Sequence, residues 1–224
     1  MVYSVKETYL TLQGEGAQTG QVAVFLRFSG CNLWTGLERD RGQAVCKFCD
    51  TDFVGTDGQN GGKFKTAQDL ASAVSALWRG TGQKWVVCTG GEPLLQLDAP
   101  LIEALHNTGF KIAIETNGTL KAPNNIDWIC VSPKADAPLM QTAGHELKLV
   151  YPQVENTPDM FAHLDFEIFS LQPLDRDYLT RDGELSKDKG SSRQASSVSD
   201  CVQYCMDNPQ WRLSLQTHKI LGID

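Results

Sequence analysis

Val22-Ala-Val-Phe-Leu-Arg-Phe28, followed at once by Ser29-Gly30-Cys31, is a β-branched and aromatic run that ends in a turn and a cysteine. A run of this kind, bounded by small residues, reads as a strand buried on both faces. Five more follow it, at 85–88, 111–114, 128–131, 147–150 and 166–171, with loops and helical patterns between several of them. Between Thr66 and Arg79, Leu70, Ala73, Val74 and Leu77 keep the spacing of an amphipathic helix, Thr66 with Asp69 approximates a capping box, and Gly80 marks the end. A second helix is expected from about Pro100 to His106, capped by Asp98, with Leu101 and Leu105 on one face and Gly109 as its stop. Strands alternating with helices predict an α/β fold with a mostly parallel sheet. The runs are too few for the eight units of a closed barrel of about 250 residues. An open, partial (β/α)6-type barrel is expected, its mouth at the C-terminal ends of the strands.

The chain has 224 residues, 41% hydrophobic and 21% charged, which suits a single globular domain over 1–224 and excludes disorder as its main character. Twenty Lys and Arg against 27 Asp and Glu leave a net charge of -7, so a nucleic-acid backbone would meet repulsion. Small molecules are the favoured partners. No run of about 18 apolar residues offers a membrane span, and the first residues lack the n-region and h-region of a secretory signal. A cytoplasmic protein is expected. The polar, serine-rich stretch 182–199 reads as a mobile surface loop and not as a second domain.

Seven cysteines, an odd number, suit thiols or metal ligands better than disulfides in a reducing compartment. Cys31, Cys46 and Cys49 follow the first run, with fourteen residues between the first two and two between the last pair. Cys88 and Cys130 lie inside apolar runs, and Cys201 and Cys205 share a face of an expected helix, so these four read as core or surface thiols. A structural zinc site closes with four protein ligands. A 4Fe-4S cluster held by three thiolates leaves its fourth iron for a small molecule. On spacing alone both remain open.

Thr89-Gly90-Gly91-Glu92-Pro93 after the next run, together with the three-cysteine loop, resembles the radical S-adenosylmethionine superfamily. Leu12-Gln13-Gly14-Glu15-Gly16, Arg27, Cys49-Asp50-Thr51, Glu115-Thr116-Asn117-Gly118, Val131-Ser132-Pro133-Lys134, Leu171-Gln172-Pro173 and Gln216-Thr217-His218-Lys219 extend the likeness over nearly the full length. As a set they resemble the 7-carboxy-7-deazaguanine synthase family. The chain departs from the superfamily's usual three-residue spacing between its first two cysteines. Lengthening that loop from about four to about fifteen residues costs only about 1 kcal/mol of closure entropy. The departure bears on the loop's conformation and on its contacts with a reductase.

The resemblance implies a lyase that contracts 6-carboxy-5,6,7,8-tetrahydropterin to 7-carboxy-7-deazaguanine with loss of ammonia, on the way to queuosine and so to tRNA modification. It implies a 4Fe-4S cluster on Cys31, Cys46 and Cys49, S-adenosylmethionine and Mg2+. Radical chemistry belongs to the cofactors, and the protein must aim, clamp and exclude water. S-adenosylmethionine would meet Phe48, Cys49, Asp50, Gly91, the stretch Ser132-Pro133-Lys134, and Gln172, Pro173, Leu174 and Asp175. Gly90 and Gly91 would let backbone approach it, and Glu92 would accept from its ammonium group. Thr51 would give a hydroxyl to Mg2+. The pterin would meet Leu12, Gln13, Gly14, Thr89 and the terminal Asp224, with Glu115 and His218 as candidates for the pocket wall.

Arg27 stands out on physical grounds alone, because a guanidinium ending an apolar strand is costly to bury unpaired. A carboxylate partner is expected, either from the protein or from the pterin, whose carboxylate the planar fork would take bidentately. The family further implies a homodimer and a small flavodoxin-type electron donor. Two other readings share some of these residues. A radical-generating activase would use the cysteines and Gly-Gly-Glu-Pro but not Arg27 or the Leu-Gln-Gly-Glu-Gly loop, and a zinc module would recruit a fourth ligand from elsewhere.

Overall fold

Nine strands, in chain order β1 (Tyr3–Leu12), β2 (Val22–Phe28), β3 (Gly62–Phe64), β4 (Lys84–Gly90), β5 (Phe110–Thr116), β6 (Trp128–Val131), β7 (Ala143–Tyr151), β8 (Asp165–Pro173) and β9 (Trp211–Leu213), form one sheet. The α-helices are α1 (Ala67–Leu77), α2 (Ala99–Asn107), α3 (Ser191–Asp207) and α4 (Thr217–Leu221). This computed structural model describes residues 2–174 and 191–223, with backbone alone for 191–196. Spatial order across the sheet is β3-β1-β2-β4-β5-β6-β7-β8-β9. From β2 onward every neighbouring pair is parallel, whereas β1 runs antiparallel to both β2 and β3. The sheet is open, with β3 and β9 as its two edges.

Period-two alternation gives each strand two different faces. Outward, Val24, Leu26 and Phe28 of β2, Val86 and Cys88 of β4, and Ile112 and Ile114 of β5 pack against Leu70, Ala71 and Val74 of α1 and Leu101, Ile102 and Leu105 of α2. Leu147, Leu149 and Leu171 continue that face beneath Cys201 of α3 and Trp211 of β9. Each fully buried Leu or Ile contributes roughly 1.5–3 kcal/mol of apolar transfer, which makes this the stabilising side. The alternate residues face the other way. Ala23, Val87 and Ala113 form a small apolar floor there, and Arg27, Thr89, Glu115, Lys148 and Gln172 stand at the C-terminal ends of β2, β4, β5, β7 and β8. Backbone register sets Glu7 beside Arg27 and Arg27 beside Thr89, so three neighbouring strands bring these side chains to one spot.

The six expected parallel strands are β2 and β4 to β8, and β9 adds a seventh. β1 is not legible as an apolar run because Lys6 and Glu7 interrupt it, and β3 and β9 are not because each is three residues long. Both expected helices form: Thr66 accepts from the Asp69 N–H at 3.1 Å and Asp98 from the Leu101 N–H at 3.1 Å. Helical crossovers are fewer than a (β/α)6 pattern implies. Among the described residues the connections from β5 through β8 carry no α-helix, and they hold Pro123, Pro133, Pro138, Pro152 and Pro158, which break helical hydrogen bonding.

The expected open α/β fold with a mostly parallel sheet is thus what forms; the expected loop 182–199 is a correction. Its first part lies outside the described residues, but from Ser191 the chain is the first half of α3. Ser197 and Cys201, one turn apart, are both fully buried, so a serine occupies a core-facing position that composition counted as polar. Cys88 and Cys130 are buried and Cys205 half-buried. No helix among the described residues is long and apolar enough to cross a membrane.

Asp98 joins the helix layer to β1, since its Oδ1 accepts both the Leu101 N–H and the Tyr3 hydroxyl, the latter at 2.7 Å. Asp98→Ala is expected to cost about 2 kcal/mol in urea unfolding, from the lost cap and the orphaned hydroxyl. Tyr3→Phe should cost less, and the double variant less than the sum because both partners share one oxygen; a fully additive cycle would contradict the shared contact.

Candidate active site

The polar inner face opens into two adjoining cavities. The first, about 370 Å³, is lined by Leu12, Gln13 and Gly14 from the end of β1 and its loop, by Arg27 and Thr89, and by Glu7, Tyr9, Phe25 and His218. The second, about 200 Å³, is lined by Cys46, Phe48 and Cys49, by Gly90 and Gly91, by Ser132 and Lys134, and by Gln172, Pro173 and Leu174. Glu15, Asp50, Thr51, Glu115 and Gln216 line both. The residues that the sequence assigns to the pterin therefore lie in one cavity and those assigned to S-adenosylmethionine in the other. Pro133 is outside both linings, its carbonyl accepting from Asn156 Nδ2 at 3.1 Å. Asp175 and Asp224 lie outside the described residues.

Arg27 has a protein partner: its Nε donates to Glu7 Oε1 at 2.8 Å, while the guanidinium lines the first cavity. Burial works against the Arg27 charge, but Tyr9 and Glu7 outweigh it and hold the pKa above its ordinary value. Glu7 and Tyr9 lie on β1, the strand whose charges hide it in the sequence, so neither is legible there as a site residue. At the wall between the cavities, Lys148 Nζ donates to Glu15 Oε2 at 2.8 Å and to Glu115 Oε2 at 3.0 Å. Glu15 also accepts from Gln172 Nε2 at 3.3 Å and Gln216 Nε2 at 2.9 Å. Burial pushes Glu15 toward its neutral form, yet Lys148, Gln216 and His218 win and hold it at about 2. For Glu115 burial prevails and raises its pKa in spite of Lys148. Lys148 stays charged, its own burial overcome by the two carboxylates.

Cys46 and Cys49 line the second cavity, and Cys31 packs with Cys49 against the small cluster of Trp34, Ala44 and Phe53. Burial raises the Cys31 thiol, opposed by the N–H groups of Leu33 and Trp34, the former 3.4 Å from Sγ. The Cys46 thiol donates to Cys49, and this bond makes Cys49 the readier of the pair to ionise, helped by the Thr51 N–H. Amide donors turned toward sulfur favour thiolates, the form that binds metal. Among the described residues no three His, Cys, Asp or Glu side chains form a ready site for a single metal ion.

Gly90 and Gly91 line the second cavity, and their bareness also serves neighbours within the protein. A Cβ on Gly91 would lie 2.2 Å from the Gly30 carbonyl oxygen and 2.6 Å from Cys31 Cβ, and one on Gly90 would lie 2.4 Å from the Phe28 carbonyl oxygen. Their bareness lets β4 lie against the turn that carries Cys31. Glu92, expected to accept from the cofactor's ammonium group, is a correction. It is fully buried, its carboxylate accepting from the Leu94 N–H at 3.0 Å, the Thr116 hydroxyl at 2.8 Å and the Asn117 N–H at 2.8 Å. It ties β4 to β5 and does not face the cavity.

No protein-family model matches the chain. It is 62% identical over 224 residues, spanning both chains completely, to the 7-carboxy-7-deazaguanine synthase of Caulobacter vibrioides, and 59% identical with the same coverage to that of Bordetella pertussis. The fold matches the crystal structure of QueE from Escherichia coli with a TM-score of 0.67 at 26% identity, covering 96% of this chain and 94% of that one. The chain belongs to the 7-carboxy-7-deazaguanine synthase family. Neither an activase nor a zinc module is consistent with that membership.

Over the first cavity, His218 is seated where Gly14 leaves room, since a Cβ at Gly14 would lie 2.3 Å from its Nδ1. The segment around α4 is fastened there by the Thr217 N–H and hydroxyl, both donating to the Gly14 carbonyl at 2.8 and 3.0 Å, and by Lys219 to Asp50 at 3.1 Å. Burial lowers the His218 pKa, favouring the neutral imidazole.

Lys148→Met strands two buried carboxylates and is expected to cost about 3–5 kcal/mol at pH 7. The depressed Glu15 contributes stability that is full above its ordinary 4.5 and lost as pH falls toward about 2. Without Lys148 both carboxyls would titrate above 4.5, so acid should relieve the variant while it weakens the wild type. Urea midpoints at pH 7, 5 and 3.5 should therefore converge; a constant gap would refute the charge network.

Proposed function

We propose that this chain converts 6-carboxy-5,6,7,8-tetrahydropterin to 7-carboxy-7-deazaguanine with loss of ammonia, as a radical S-adenosylmethionine lyase in the route to queuosine. The observation that carries the reading is the pair of adjoining cavities, one presenting Arg27 and the Leu12–Gly14 loop and the other the Cys46 and Cys49 thiols and a glycine-bare strand end. Full-length kinship with synthases of that name supports it.

Cys31, Cys46 and Cys49 would hold the 4Fe-4S cluster. The donor set fits, because three thiols sit on one loop with amide N–H groups turned toward two of them and a cavity beyond. When bound, the cluster and S-adenosylmethionine together supply a 5'-deoxyadenosyl radical. The protein's part is orientation and exclusion of water. Phe48, Asp50, Gly91, Ser132, Pro133, Lys134, Gln172, Pro173, Leu174 and Asp175 would hold the cofactor, with Lys134 Nζ already 2.6 Å from the Ser132 hydroxyl. Leu12, Gln13, Gly14, Thr89 and Asp224 would hold the pterin ring, and Arg27 its carboxylate, Glu7 fixing the guanidinium from behind. Thr51, on the wall common to both cavities, would supply a hydroxyl to Mg2+. A homodimer, a flavodoxin-type donor and a cytoplasmic location complete the proposal.

Arg27→Lys should keep the cluster and the reductive cleavage of S-adenosylmethionine while kcat/KM for the pterin falls by about 10–100-fold, the loss of a charged bidentate contact. Unchanged pterin turnover in anaerobic assays would refute the clamp. For Mg2+, a chelator should depress turnover of wild type, and Thr51→Ala should respond little to added metal; an equal response in both would remove the assignment.

A further inference from the structure

The fourteen residues between Cys31 and Cys46 are folded around one side chain. Arg41 lies in the short 3-10 stretch Glu38–Gln43, and its side chain is only 19% exposed. Its guanidinium carbon sits 4.1 Å from the centroid of the Trp34 ring. Nε donates to Glu38 Oε2 at 2.7 Å, and Nη2 donates to the other Glu38 oxygen. Nη1 donates to the carbonyls of Lys47 at 2.9 Å and Cys49 at 3.2 Å, and Nη2 reaches the Cys49 carbonyl at 3.2 Å.

Trp34 is itself anchored. Its Nε1 donates to the Leu37 carbonyl at 3.3 Å, and its ring meets Phe53 edge-on at 5.6 Å. Trp34, Ala44 and Phe53 form a small buried cluster against which Cys31 and Cys49 pack. The Val45 N–H donates to the Leu33 carbonyl at 3.0 Å, closing the loop across its neck. One planar cation thus joins the stretch of chain that follows Cys31 to the turn that carries Cys46 and Cys49. A planar fork can stack on an indole and serve two carbonyls and a carboxylate at once, which an ammonium cannot.

We propose that Arg41 is the positioning residue of the three thiolates, holding the Cys46–Cys49 turn in its ligating shape before iron arrives. The inference rests on the reading of Cys31, Cys46 and Cys49 as cluster ligands. It assigns the long intercysteine segment a role as scaffold, since Trp34, Glu38 and Arg41 all fall within it.

The test uses the full chain in its metal-free form, purified anaerobically. Amide hydrogen exchange is read over 45–51, followed by the rate of iron and sulfide uptake and by the electron paramagnetic resonance of the reduced cluster with and without S-adenosylmethionine. In Arg41→Ala, exchange over 45–51 should accelerate about tenfold or more while β2 and β4 keep wild-type protection. Uptake should slow in parallel. Arg41→Lys should behave like Arg41→Ala in spite of its charge, and added methylguanidinium should partly restore Arg41→Ala. Wild-type exchange and wild-type uptake in Arg41→Ala would overturn the inference, as would full recovery in Arg41→Lys. If Arg41→Ala does not fold, Arg41→Lys and Glu38→Gln are read in the same two ways, and wild-type exchange with wild-type uptake in both would again overturn it. Failure of wild type to take up a four-iron cluster would instead sink the reading of the cysteines themselves.

Discussion

Lys148 places a buried ammonium between Glu15 and Glu115, and the arrangement of both cavities depends on that contact. An unpaired ammonium there would be costly, and so would either carboxylate alone. Once the three are together, Glu15 becomes a fixed acceptor, and amide groups from Gln172 on β8 and Gln216 before α4 converge on it. The loop after β1, the ends of β7 and β8 and the C-terminal segment are thereby tied to one charge centre. The same centre is the wall on which the two cavities meet, so the placement of one cavity relative to the other depends on it.

This charge centre is tolerated because the sheet divides its labour between faces. Leu26, Ile112, Leu147 and Leu171 are fully buried under helices and supply the apolar stabilisation. The alternate strand positions, which face the other way, are free to be Arg27, Thr89, Glu115 and Lys148. Apolar runs are therefore legible as strands, and the one charged residue that ends such a run, Arg27, is legible as special. Lys148 sits within the run 147–150 and obeys the same logic, so the same argument applies to it. Glu7 and Tyr9 are out of reach for a different reason: their strand is antiparallel, carries charges and is recognised only through its pairing with β2.

The cysteine motif shows where sequence reading stops. Spacing identifies three thiols and the family, but nothing in the local residues signals that Glu92 turns inward to the Asn117 and Leu94 amides, because those donors come from the end of the neighbouring strand and its own following turn. Nor does any local pattern tell that Gly91 is bare for the sake of Gly30 and Cys31 and not only for a ligand. Both are packing facts that depend on which strands lie side by side. In α3, Ser197 in a buried position defeats a composition argument that treats serine as a mark of exposure.

The cavities also constrain the order in which the molecule can become active. Gly14 follows the first strand, whereas Thr217 and His218 come after the last, and these two regions meet directly over the first cavity. Contacts of such sequence separation bear the largest loop-closure entropy and form late. The thiol loop, by contrast, is bound locally through Trp34, Arg41 and the Cys49 carbonyl. The Cys46–Cys49 turn is thus held by contacts short in sequence, whereas the first cavity needs the meeting of Gly14 with Thr217 and His218. The roof over the first cavity closes only when the end of β1 and the segment carrying Thr217 and His218 have met.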